Sequence, residues 1–430
     1  MTHAHSSLPG LEAAIRDGVA GQAEVEATLS GYRARLPLRY WSQSAHFTTR
    51  AADEVMGRKA VEGGTAPMSR ILQRYEIAPA ELAERIHEDR AVVEELLTRP
   101  RRAPLVMLDG EDAQALREDV SAEGLRATTT VLAEADWVGD TSSSLRFFRP
   151  PGFNLTSSVR DLCRLLWALA ERSTPEAFPL DGIVFPKVEH PEEVDLLYGI
   201  LDRAERALGL AVGRIRVAFL IESGWATVQI AEIAKRAAPR LCALIFGIAD
   251  YSADLGLPAI STDHPLAAWA RAQIVNVAGA VGVPAIDGMT LDYPVADPAL
   301  DHAANRERIL TRIALVHADA LRAREIGMSG KWVGHPAQLF AVLLAFEAGL
   351  RAADLELEAE KLAAYRTSVH DEGRGATIIG GVMSDRATDR QAREVLRRAT
   401  ALGRFDPVRA LQLGVIGPED VDPPRAGGPP

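Results

Sequence analysis

Two carboxylates stand where apolar runs stop. Glu222 follows "RVAFLI" and opens "ESGWATVQI", and Asp250 closes "CALIFGIAD". A parallel strand buried on both faces reads as a near-continuous apolar run, so each acid lies where such a strand would end. Neighbouring parallel strands are about 4.8 Å apart, and acids at the ends of consecutive strands can share one cation. Oxygen donors without histidine or cysteine partners suit Mg2+ or Mn2+ better than zinc. With two protein ligands only, water and substrate oxygens would complete the octahedron. The alternative is a pair of solvated acids, or acids capping the helices that follow.

Other runs end in the same way. "RAPLVMLDGEDAQ" places Asp109, Glu111 and Asp112 together. Three acids this close form a solvated turn, or, beside a metal, hold its waters and orient basic groups. Arg149 ends "LRFFR" ahead of Pro150 and Pro151. Its guanidinium suits a substrate carboxylate or a developing enolate oxygen, and equally a structural ion pair with one of the acids. Arg146, three residues earlier, points to the opposite face because strand side chains alternate. Lys187, Asp287 and His335 close the remaining polar strand ends. Seven ionisable strand ends together suggest a concave site rich in acids with a few bases, although a lone histidine such as His335 is more often structural. "GGVMSDRATDRQ" lacks the lysine of a phosphate loop, and no "GxSxG", "HExxH" or kinase set is present.

The elements that must position these groups are eight short runs: "LRYWSQ", "PLVMLD", "SLRFFR", "GIVFPKV", "IRVAFLIE", "CALIFGIAD", "PAID" and "KWVGHP". Amphipathic stretches such as "VRDLCRLLWALAE" separate most of them. Alternating strand and helix predicts an α/β fold, a (β/α)8 TIM barrel, whose active site lies at the C-terminal strand ends. Around it the sequence predicts an N-terminal helical arm (1–35), the barrel (36–345), a C-terminal cap segment (346–415) containing the strand-like "ATIIGGVM", and a disordered Pro/Gly-rich tail (416–430). At 430 residues, 47% of them hydrophobic, the chain can bury a large core. A formal charge of −11 argues against nucleic acid and acidic membranes as partners. Cys163 and Cys242 sit in apolar segments and read as core residues, with no disulfide or cysteine metal site. No apolar run approaches the roughly 20 residues of a membrane span, and "MTHAHSSLPG" lacks the regions of a secretory signal. A cytoplasmic location is expected.

The ordered set of motifs resembles the citrate lyase β-subunit and malyl-CoA lyase superfamily, often named with the HpcH/HpaI aldolases. "LDGEDAQ" is similar to its D-L-E-D-A-V segment, with Gly110 for the leucine and Gln114 for the valine. "FPKVEHPEEV", "LIESGWATVQIAEIA", "FGIADYSADLG", "AIDGMTLDY" and "GMSGKWVGHPAQ" follow in order, with Gly334 where isoleucine is usual. The match spans roughly residues 100 to 400. "ADYSA" and "GKWVGHPAQ" look closer to malyl-CoA lyases, while Ala249 stands where a glutamate often sits beside the metal aspartate.

The resemblance implies a metal held by Glu222 and Asp250, substrate bound by these acids and Arg149, and Arg149 stabilising developing charge. Asp109, Glu111 and Asp112 would support them from behind. "GATIIGGVMSDRATDRQAREVLRRA" resembles the segment whose G-x-M-x-D aspartate is the acid–base residue, which carries over to Asp385; a plain helix N-cap is the other reading of that residue. The implied reaction is a metal-dependent aldol or retro-Claisen cleavage, or its reverse, of a β-hydroxyacyl-CoA such as malyl-CoA, giving an acyl-CoA and a 2-oxoacid such as glyoxylate. A homo-oligomer is implied too, since the cap often covers a neighbouring subunit's barrel mouth. The first 100 residues depart from the family. A CoA-independent class II-type aldolase releasing a 2-oxoacid, or a catalytically degenerate binding subunit, are the alternatives.

Overall fold

Eight parallel strands close a barrel in sequence order, β1 (Ala45–Arg50), β2 (Leu105–Asp109), β3 (Leu145–Arg149), β4 (Gly182–Phe185), β5 (Arg216–Ile221), β6 (Leu241–Phe246), β7 (Ala285–Asp287) and β8 (Gly330–Val333), with β8 pairing back onto β1. This is the (β/α)8 architecture the alternating pattern predicts. The computed structural model describes residues 8–421 except 114, 116, 135–143, 348, 371, 372, 374, 380 and 381. None of the described helices is long and apolar enough to cross a membrane.

Strand alternation sorts the core into two shells. Leu105 and Met107 of β2, Leu145 and Phe147 of β3, Ala218 and Leu220 of β5, and Ala243 and Ile245 of β6 fill the barrel interior. Their neighbours Val106, Leu108, Phe148, Phe219 and Ile221 face the surrounding helices. Each fully buried Leu, Ile or Phe contributes roughly 1.5–3 kcal/mol, so the pattern fixes strand register against a one-residue slip.

The first strand differs from expectation. "LRYWSQ" is not a strand: Leu38–Ser42 is a 3-10 turn, and β1 begins at Ala45. Pro37 (φ −57°, ψ 146°) turns the chain in. The Tyr40 hydroxyl then donates to the Asp181 carbonyl at 3.0 Å, and Gln43 Nε2 donates to the carbonyls of Tyr40 (2.6 Å) and Cys242 (3.0 Å). The aromatic run that looks strand-like is therefore a plug across the barrel floor.

His46, 1% exposed, stands on that plug. Gln43 spends its amide N–H groups on carbonyls, so the imidazole Nε2–H donates to Gln43 Oε1 at 3.1 Å. Burial pushes the His46 pKa down to about 3, so the folded chain stays neutral there while the unfolded chain takes up a proton below about pH 6.5. Its contribution to stability is complete above that pH and is lost as pH falls toward 3. His46→Gln should flatten the fall in Tm between pH 6.5 and 4 in scanning calorimetry; an unchanged slope would assign the acid sensitivity to other groups.

The helix Leu8–Gly31 forms the N-terminal arm. At the other end, helices Ala352–His370 and Arg386–Ala401 and the antiparallel pair β9 (Ala376–Ile379) and β10 (Val382–Asp385) build a unit with its own core of Leu355, Leu362, Leu396 and Ala399. The boundary expected at 345/346 falls inside the last barrel helix, Pro336–Glu347, and the next helix starts at Ala352. Arg398 Nη2 donates to the Ser329 carbonyl, and Arg397 stacks 5.5 Å from the Trp41 ring centroid. Ser329 and Trp41 precede β8 and β1, so the cap is seated beneath its own barrel's floor. The tail expected to lack structure from 416 is helical at Pro418–Val421, where Asp420 accepts from Leu38 N at 3.1 Å; residues 422–430 lie outside the described ones. Cys242 is buried as expected, but Cys163 is exposed on the helix Ser158–Ala170. Its side of that amphipathic helix faces away from the barrel.

Candidate active site

The inward series of β5, Ala218 and Leu220, continues to Glu222 just past the strand end. The residue is 3% exposed. Its Oε1 accepts from the Lys187 backbone N–H at 2.7 Å, and its Oε2 is buried without a hydrogen-bond partner. Gly247 makes room for it: a Cβ there would lie 2.5 Å from Glu222 Cβ. Burial pushes the Glu222 pKa up to about 8, against the pull of Lys187 and with a further push from Asp250.

Asp250 does not end β6 itself. The strand stops at Phe246, and Asp250 lies in the first turn of the short helix Ile248–Asp254, where acids are favoured. Between the two acids stands Lys187. Its Nζ is 2.6 Å from Asp250 Oδ1, 3.6 Å from Asp112 Oδ2, and 3.9 Å from both Glu111 Oε1 and Glu222 Oε1. Burial opposes its charge, yet Glu222 and Asp250 hold its pKa up at about 12. The backbone there is left-handed, φ +55°, which costs a lysine roughly 1–2 kcal/mol. That conformation aims both the Lys187 amide and its ammonium at the acids.

Asp109 and Arg149 end the inward series of β2 and β3 and are register partners. Arg149 Nε and Nη2 donate to the two Asp109 oxygens at 2.7 and 2.6 Å. Asp109 also accepts from Glu111 N (2.9 Å) and Ala113 N (3.2 Å), so one carboxylate shapes the turn and orients the guanidinium. Nη1 is left facing Glu111 (3.2 Å) and Asp112 (3.3 Å), and Trp332 lies 5.3 Å from the guanidinium. Burial pushes Glu111 up to about 7, opposed by Arg149. Burial would raise Asp112 as well, but Arg149 and Lys187 outweigh it and hold it below the usual range. Five carboxylates thus meet two cations, a deficit of positive charge in a partly buried bowl.

A family model described as "Domain of unknown function (DUF6986)" matches residues 20–421. The chain belongs to this family. An L-malyl-CoA/beta-methylmalyl-CoA lyase of Rhodobacter capsulatus is 29% identical over 313 residues, covering 69% of this chain and 87% of that protein. One of the same description from Haloarcula marismortui is 24% identical over 345 residues, 80% and 94% of the two chains. Among solved structures, a citrate lyase from Burkholderia xenovorans LB400 shares the fold, with a TM-score of 0.52 and 24% identity over 75% of this chain and 91% of that one. This DUF6986 chain is a member of the citrate lyase β/malyl-CoA lyase superfamily and a carbon–carbon lyase by class.

Not every ionisable strand end of this DUF6986 chain reaches the bowl. Ile286 points inward, so Asp287 points outward, where Arg271 (2.7 and 3.3 Å) and Lys331 (2.6 Å) pair with it. Arg146, also outward, pairs with Asp181 at 3.1 Å. His335 accepts from Ala337 N at 3.2 Å as a cap, and burial pushes its pKa to about 4. Gly334, the departure beside it, is required by packing, because a Cβ would run into the Tyr293 hydroxyl. Asp385 caps the helix Arg386–Ala401, accepting from Ala387 N (2.9 Å) and Thr388 N (3.1 Å). Those amides, Thr388 foremost, hold its carboxyl below the usual range. The residue that sequence reasoning gave no role is Lys187. The signal available was a lysine one position past a proline at a strand end.

Proposed function

We propose that the chain is a divalent-metal-dependent lyase that cleaves, or forms, the bond between the α- and β-carbons of a β-hydroxyacyl-CoA, exchanging it for an acyl-CoA and a 2-oxoacid such as glyoxylate. The observation that carries this reading is the orphaned, buried Glu222 Oε2 beside Asp250, with a lysine ammonium drawn between them. Among the described residues no group of three or more His, Cys, Asp or Glu is placed so that it could hold a metal ion by itself. A two-carboxylate set suits a cation that keeps several water or substrate oxygens, the habit of Mg2+. Glu222 and Asp250 would hold it, and when bound it would polarise the substrate oxygen that is carbonyl in one direction and alkoxide in the other.

The chain's own groups supply the rest. In cleavage the β-hydroxyl gives its proton to a solvent water, the β-carbon becomes the carbonyl of the 2-oxoacid as the α–β bond breaks, and the electron pair of that bond passes to the thioester as an enolate. Arg149, its fork fixed by Asp109, offers the Nη1 edge to the developing charge. Asp385 donates the proton that turns the enolate into the acyl-CoA; in the other direction it removes one. Asp385 stands on a cap seated under its own barrel's floor, which supports a homo-oligomer in which it serves another chain's mouth. Seating there would strip water from the carboxyl and raise its pKa toward that of a working acid–base group.

Glu222→Gln and Asp250→Asn should each abolish Mn2+ binding measured by electron paramagnetic resonance and the accompanying rise in Tm. Lys187→Met, which removes the resident cation, should bind Mn2+ more tightly. Parent-like binding in both acid variants would sink the site. Incubation with Mg2+, glyoxylate and a panel of acyl-CoAs, read by mass spectrometry, identifies the acyl group.

A further inference from the structure

A cavity of about 510 Å³ lies at the opposite end of the barrel from these acids. Its walls come from the helix Arg90–Thr98, the end of the helix Pro336–Glu347, the start of the cap at Arg351, and the turn after the cap's last long helix at Arg404. The volume is in the range of small-molecule sites. Leu96, Leu343 and Leu402 give it an apolar side.

The other side is cationic. Arg99, Arg101, Arg351 and Arg404 line the cavity against two acids, Glu95 and Glu347. Glu347 is already engaged: it pairs with Arg101, lies 3.6 Å from Arg404, and accepts from Ser44 Oγ at 3.0 Å. Glu95 lies 3.8 Å from Arg404. Among the described residues, the Arg99 and Arg351 side chains have no acidic partner. Four guanidiniums less two carboxylates leaves an excess of two positive charges, in a chain whose formal charge is −11. Guanidinium forks suit carboxylate and phosphate oxygens in particular.

We propose that this cavity binds a small multivalent oxyanion carried on a compact organic body, at a site separate from the barrel mouth. Arg99 and Arg351 grip the anion, and the leucine wall takes the body. Arg101 is positioned rather than free, and burial together with Arg404 pushes its pKa down to about 10, the direction expected where cations crowd without enough negative charge. Arg99 belongs to the barrel side of the cavity and Arg351 and Arg404 to the cap side, so an anion held by both ties the cap to the barrel.

The test is calorimetric titration of the full chain, in EDTA, with pyrophosphate, ADP and citrate, each against sodium chloride at matched ionic strength. At least one probe should bind saturably. The Arg99→Ala/Arg351→Ala double variant, which removes two exposed and unpaired side chains, should weaken it by roughly tenfold or more. Glu222→Gln should leave it unchanged. Binding by pyrophosphate and ADP without citrate identifies a phosphate ligand, and citrate alone a polycarboxylate; either supports the site. Three results overturn it: no probe binding above the chloride baseline, binding undiminished in a double variant whose melting curve matches the parent, or binding changed in affinity by Glu222→Gln, which would place the anion at the barrel mouth.

Discussion

Asp385→Asn chains and Glu222→Gln chains, each inactive alone, are expected to regain activity when mixed and allowed to exchange subunits. The expectation rests on where the cap sits. Its long helix Arg386–Ala401 is fixed near its C-terminal end to the floor of its own barrel, by Arg398 on Ser329 and Arg397 on Trp41. Asp385 caps the other end of that helix, 13 residues before Arg398, about 20 Å away at 1.5 Å per residue. Glu222 and Lys187 open at the far end of the barrel. If Asp385 transfers the proton, it would therefore have to meet the site of another chain. Random pairing brings an intact Glu222 and an intact Asp385 together in about one half times one half of the sites, a quarter of parent activity in a closed symmetric assembly. Exchange is followed with differently tagged chains. Demonstrated exchange with activity still at zero would rule out the shared site, and a fully active Asp385→Asn would reduce the residue to the helix cap it already forms.

Arg149→Lys is expected to lower kcat by roughly 10²–10³, the usual loss when one transition-state donor is removed. Lysine keeps the charge but has no planar fork. It can satisfy one Asp109 oxygen, or reach toward the bowl, but not both. Buried Asp109 then loses half of a bidentate pair, so a fall in Tm accompanies the fall in rate. The two readouts separate the roles. A drop in Tm with less than about a tenfold change in kcat would leave Arg149 as a structural ion pair.

How much of this was legible beforehand follows from what strand parity can and cannot say. The apolar runs fixed seven of the eight strands, and the inward parity of β2, β3 and β5 carried Asp109, Arg149 and Glu222 into one bowl. The same parity carries Asp287 out of it, which the list of polar strand ends did not separate, because a run of buried residues looks alike on both faces. "LRYWSQ" misled for a related reason. Tyr40 is buried against the barrel floor and Trp41 lies half-buried under the cap helix, neither of them in a ladder, and only the tertiary partners Asp181 and Arg397 reveal that. Lys187 was visible as a residue but not as a participant. Its reach depends on a left-handed backbone that nothing in "FPKV" announces.

The lysine held among four carboxylates has a consequence for how the chain comes into being. Many metal sites are assembled only when the ion arrives, and folding then waits on supply. Here the cluster carries its own counter-ion, so the acids do not repel one another while the barrel closes. If Glu222 and Asp250 take up the proposed metal, loading would be an exchange of one cation for another in a finished scaffold. Synthesis and activation would then be separate events, with the metal-free chain as a folded reserve.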